Sequence, residues 1–156
     1  MKLHSDNTTG IEAKERAFAE ALNLLPDTEE RFTYLIQLGR RFSVLADSLH
    51  TKENLLPGCI SQLWFCPEFR NGLCIYRMDA DAAIVKGVAA ILCTLYSGET
   101  PETVVAREPT FLEDCGLTLH LSSRRLSGLG SLRAAIKAFG LAHLETSPQR
   151  LTNLSL

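Results

Sequence analysis

An α+β fold is predicted for this chain, and three observations predict it. Residues 82–96 are apolar over most of a helical surface, which places them in a core. An Asn71-Gly72 pair lies between two runs of strand-forming residues, 60–66 and 73–78, and that dipeptide supplies the positive-φ residues of a tight hairpin. Helix-start signals recur at Asp27, at Thr100-Pro101-Glu102 and at Ser122 or Ser123. One short antiparallel hairpin packed against five or six helices follows.

Residues 1–10 are polar and read as a flexible arm, the domain proper runs over 11–145, and 146–156 read as a frayed tail. Ile11, Phe18, Leu22 and Leu25 share one helical face, and Pro26 closes that run. Asp27 followed by Glu30 has capping-box spacing and opens a helix expected to end near Gly39. Residues 40–58 carry no clear period, with Phe42, Val44, Leu45 and Leu49 available to pack down. The hairpin is expected as Ile60 to Cys66 and Leu73 to Met78, joined by a loop over 67–72. Asp79-Ala80-Asp81 is expected to cap the central helix from about Ala82 to Tyr96, which Gly98 ends. Thr100 and Pro101 start a short helix. Another spans Pro109 to Cys115, and the last runs to about Leu144 with Leu129, Leu132, Ile136 and Phe139 inward.

At 156 residues the chain suits one core. A formal net charge of −2 gives no basic field for nucleic acid, and Arg124-Arg125 alone reads as a solvated face. No apolar leader precedes the domain. The longest apolar run, Val88 to Cys93, is far too short to span a bilayer. A cytoplasmic protein without membrane or nucleic-acid partners is the expectation.

Five cysteines stand at 59, 66, 74, 93 and 115, an odd number without any CxxC pair. That pattern fits neither a disulfide framework nor a zinc site, so no metal and no resident cofactor are expected. Cys59 differs from the rest. It follows Pro57-Gly58 directly, whereas the other four fall inside predicted strands or helices. A nucleophilic sulfur needs thiolate character, access and freedom to approach a partner atom. By spacing alone, Cys59 is either such a nucleophile or a residue that begins a strand. His120 and His143 stand without a Cys or carboxylate at ligand spacing, and a cysteine hydrolase would need the fold to bring His50 or His120 beside Cys59 as a base. Gly87, Gly128 and Gly130 lie inside helical patterns, where each costs up to ~1 kcal/mol unless close contact or partner docking requires it.

Together these residues resemble the SufE family. Gly58-Cys59-x-Ser61-x-x-Trp64 is similar to that family's sulfur-acceptor stretch. Asp79-Ala80-Asp81-Ala82-Ala83-Ile84-Val85-Lys86-Gly87 is similar to its D-S-D-x-x-I-V-K-G segment, with alanine in the serine position. Gly98-x-Thr100-Pro101-Glu102 and Leu121-Ser122-x-x-Arg125-x-x-Gly128-Leu129 resemble two further signatures, with Ser127 where Asn or Gln is usual. The resemblance covers roughly 15–140. It implies an α+β fold similar to IscU-type proteins. It also implies sulfur acceptance as a transient covalent persulfide on Cys59, from a pyridoxal-phosphate cysteine desulfurase of the SufS or CsdA type. The desulfurase would be stimulated, and the sulfur passed to a SufBCD-type scaffold or another acceptor, without independent enzyme activity of the chain's own. Arg125 is implied as a supporting cation near the acceptor, and Asp79 and Asp81 as holding the hairpin–helix junction. The alternative of another class is an iron–sulfur scaffold of the IscU/NifU type, which needs about three thiolates or histidines at one point, Cys66 and Cys74 among them.

Overall fold

The computed structural model describes residues 10–42, 44–58, 62–107 and 110–144. Cys59, the expected arm apart from Gly10, and the expected tail lie outside the described residues. Among the described residues, six α-helices flank a two-stranded antiparallel sheet: α1 (Gly10–Asn23), α2 (Thr28–Arg41), β1 (Leu63–Arg70), β2 (Leu73–Ala80), α3 (Ala83–Tyr96), α4 (Pro101–Ala106), α5 (Phe111–Asp114) and α6 (Ser123–Ala142). Two single 3₁₀ turns, Asp47–Leu49 and Lys52–Asn54, lie in the connection from α2 to β1. No helix among the described residues is long and apolar enough to cross a membrane.

α3 is the axis of the fold, as its composition dictates. Ten of its fourteen residues are buried, including Val88, Ile91, Cys93 and Leu95. A helix clad in apolar side chains on all sides must be wrapped, and α2, β2, α1 and α6 wrap it. Its last carbonyls are met by the Lys14 ammonium, 3.3 Å from Leu95 O and 2.8 Å from Ser97 O, a cation where the helix dipole is negative.

Asn71 and Gly72 form the two-residue turn, with φ of 53° and 80°, the left-handed pair that matches strand twist. The strands run longer than expected. Pro67, Glu68, Phe69 and Arg70 belong to β1 rather than to a loop, with Pro67 opposite Tyr76. Pro67 is tolerated because that pair does not exchange hydrogen bonds: Tyr76 N donates away from β1, to Ser97 Oγ at 2.8 Å. Among the described residues the first strand starts at Leu63, and the expected start at Ile60 lies outside them.

Two cap expectations are corrected. Gly39 does not end α2, which continues to Arg41. A Cβ at Gly39 would stand 3.1 Å from Gly87 N, so the glycine serves a close helix crossing. The carboxylates of 79–81 do not cap α3 either. Its N-cap is Ala82, without a side-chain cap bond, because both aspartates are engaged elsewhere. Other starts follow the sequence. Asp27 accepts from Glu29 N at 2.8 Å, Thr100 from Thr103 N at 3.2 Å and Ser122 from Arg125 N at 3.3 Å.

Candidate functional site

The residues on either side of 59–61 are gathered where three elements meet: the start of β1, the β2–α3 junction and the first half of α6. Leu56 N donates to Leu63 O at 2.9 Å, and Leu55 bridges to Trp64. These bonds bring the two ends of a six-residue excursion, 57–62, side by side.

Each end is then held by a side chain distant in sequence. On the C-terminal side, Gln62 N donates to Asp81 Oδ1 at 3.0 Å and Asp81 N returns a bond to Gln62 O at 3.1 Å. On the N-terminal side, the Ser131 hydroxyl of α6 donates to Pro57 O at 2.8 Å. Gly58 follows with φ 86°, a conformation costly for any residue with a Cβ. A Cβ there would stand 3.3 Å from Ser131 Oγ and 3.9 Å from Ser127 Oγ.

Asp79 anchors the base of this assembly. Its Oδ2 lies 2.7 Å from His50 Nε2 and its Oδ1 3.0 Å from Lys86 Nζ, while Ala80 N donates to Oδ1 at 2.8 Å. Partial burial pushes this carboxyl up, but the hydrogen bonds from His50, Lys86 and Ala80 N outweigh it and hold it below its ordinary range. His50 moves the other way: its bond to Asp79 raises its pKa against a smaller desolvation effect. Its Nδ1 faces Ala46 O at 3.1 Å, so both ring nitrogens address oxygen acceptors and the ring is suited to carry two protons. The ring also stands edge-on to Trp64, centroids 4.6 Å apart. An imidazole so committed offers no lone pair to a thiol, which weighs against a Cys–His hydrolase built on His50.

The sequence-predicted residues are thus placed unevenly. Asp79 and Asp81 sit at the hairpin–helix junction, Asp81 in direct contact with the backbone at Gln62, just after residues 59–61. Arg125 is exposed in the first turn of α6. Helical spacing puts it on the stripe that continues into Leu129 and Leu132, whereas Arg124 shares the stripe of Ser127 and Ser131. Ser131, His50 and Lys86 complete the arrangement. Sequence reasoning missed Ser131 and Lys86 and weighed His50 only as a base. The one available signal was the four-residue spacing of Ser127 and Ser131.

The four described cysteines are poor nucleophiles. Cys74 and Cys93 are fully buried, Cys66 and Cys115 partly so. Burial pushes all four thiols up, with Arg77 and Arg31 only partly offsetting it at Cys66 and Cys115. Cys66 lies opposite Arg77 and Cys74 opposite Phe69. By the two-residue period of a strand, those registers place the two sulfurs on opposite faces of the sheet. They do not converge on one ion, and among the described residues no three His, Cys, Asp or Glu side chains group as a metal site.

Fold and site together define a small α+β domain in which the backbone on either side of residues 59–61 is fixed by hydrogen bonds. The same fold is found in a protein described as a hypothetical protein from Thermus thermophilus, solved in solution. The two agree with a TM-score of 0.69 at 22% identity, over 84% of this chain and 96% of that one. Residues 16–140 match the SufE family, described as an Fe-S metabolism associated domain. The chain belongs to the SufE family and is thereby tied to iron–sulfur metabolism.

Proposed function

We propose that this chain is a sulfur-transfer protein that accepts persulfide sulfur on Cys59 from a pyridoxal-phosphate cysteine desulfurase of the SufS or CsdA type. The observation that carries the reading is the family match across 16–140, which includes Gly58-Cys59-x-Ser61-x-x-Trp64. It is supported by the anchored ends of that stretch at Ser131 and Asp81 and by the burial-raised pKa of the other four thiols. The Cys59 thiolate attacks the outer sulfur of the donor's persulfide. One S–S bond forms at Cys59, the donor's S–S bond breaks, and the donor cysteine leaves as a thiolate, so no external oxidant is needed. Accepting sulfur frees the desulfurase for another cycle and so stimulates it. The persulfide then passes to a SufBCD-type scaffold or another acceptor, in the reducing cytoplasm that such exchange suits. Asp79, Asp81 and Arg125 support the site without touching the chemistry of a substrate of their own.

The test mixes the protein with a cysteine desulfurase and cysteine labelled at sulfur. Label that joins the chain, is released by reductant and is absent from Cys59→Ser supports the reading. Undiminished label on Cys59→Ser removes it.

A further inference from the structure

The two ends of the acceptor stretch are held unequally. The C-terminal end has a reciprocal pair of bonds between Gln62 and Asp81. Among the described residues, the N-terminal end has one side-chain hydrogen bond, from the Ser131 hydroxyl to Pro57 O at 2.8 Å. Proline has no N–H, so that carbonyl is the only backbone group through which residue 57 can be held by a hydrogen bond. The next residue, Gly58, brings its backbone close enough that a Cβ would lie 3.3 Å from the same hydroxyl oxygen.

The serine is not there for the helix. Ser131 occupies the ninth position of α6, well inside it, where alanine is the better helix former. Helix propensity and loop attachment therefore pull in opposite directions at this residue, and the hydroxyl has a partner 74 positions away. Ser127, one turn earlier, stands farther off: a Cβ at Gly58 would lie 3.9 Å from its Oγ.

We propose that Ser131 is a positioning residue for sulfur transfer, fixing through the Pro57 carbonyl the backbone that leads into Cys59. This rests on the reading of Cys59 as the acceptor. Removing the hydroxyl leaves the backbone pairing of Leu55 and Leu56 with β1 and the side chain of Asp81 as the holds among the described residues, so the approach of the thiol to any electrophile is less restricted and its presentation to a protein donor less pre-organised.

The experiment compares Ser131→Ala, Ser131→Thr and Ser127→Ala with the unmodified chain. Alkylation by iodoacetamide is followed on the peptide containing Cys59, and desulfurase-dependent sulfur uptake is resolved into KM and kcat. For Ser131→Ala the expected result is alkylation of Cys59 faster by about two- to tenfold, the range one net hydrogen bond spans. The KM for the acceptor protein should rise by a similar factor with kcat held, and Tm should be unchanged or higher. Ser131→Thr restores both rates, and Ser127→Ala moves neither. An unchanged Cys59 alkylation rate in Ser131→Ala, or no rescue by Thr, overturns the proposal. Absence of sulfur uptake by the unmodified chain would instead remove the acceptor reading, since the alkylation ratio reads the attachment independently.

Discussion

Gly87 and Gly130 are both helix-interior glycines, yet replacing each with alanine should move stability in opposite directions. At Gly87 a Cβ would fall 2.1 Å from Leu35 O and 2.6 Å from Leu35 C. Those are backbone atoms of α2, which cannot swing aside as a side-chain tip does. The carbonyl would have to retreat by about 1 Å, and Leu35 is fully buried against α3. Overpacking of this kind costs roughly 1–3 kcal/mol, occasionally more, against an intrinsic gain of up to ~1 kcal/mol for alanine over glycine. Because the atoms met at 2.1 and 2.6 Å are backbone, the cost falls in the upper part of that range, about 2–3 kcal/mol, and the net is a loss of about 1–2 kcal/mol. At Gly130 a Cβ would meet nothing within 4 Å, so only the gain remains, about 0.5–1 kcal/mol. The two variants should differ by about 1.5–3 kcal/mol, which for a domain of this size separates their Tm values by roughly 3–12 °C. Urea unfolding followed by circular dichroism measures both. Equal or raised stability in Gly87→Ala would refute the close crossing of α2 and α3.

Further outcomes are expected. The His50–Asp79 contact has a defined pH window. His50 is raised, so its contribution is complete below about pH 6.5 and is lost as pH rises through its elevated pKa; Asp79 is lowered, so its contribution is present above about pH 4 and is lost as pH falls through its depressed pKa. The stability difference between the unmodified chain and His50→Asn should therefore shrink as pH rises from about 6 to about 9; a constant difference across that range would refute the assignment. Tyr76→Phe deletes a buried bond of 3.1 Å to Ile136 O that ties β2 to α6. A loss of about 0.5–1.5 kcal/mol in urea unfolding is expected, and no loss would mean that the hydroxyl adds nothing there.

What the sequence disclosed and what it withheld divide along range. Local chemistry was legible: the apolar surround of α3, the Asn71-Gly72 turn, and the caps at Asp27, Thr100 and Ser122 each depend on neighbours within four residues. Gly39 misled because a glycine needed for a helix crossing and one needed for a helix end look alike until the partner helix is in place. Pro67 misled because its tolerance depends on which way the Tyr76 amide points. Asp79 and Asp81 have the spacing of helix caps, yet their partners lie 29 and 19 residues away at His50 and Gln62. Ser131 was illegible for the same reason. The motif around Cys59 was legible in the sequence, but the side chains that hold the ends of that stretch come from packing that no local pattern records.

The most direct measurement of the central claim is mass spectrometry of the digested chain after incubation with a cysteine desulfurase and cysteine. One additional sulfur atom on the peptide bearing Cys59, lost on reduction and missing from peptides bearing Cys66, Cys74, Cys93 and Cys115, is the predicted result. Extra sulfur on any of those four with Cys59 unmodified would contradict it.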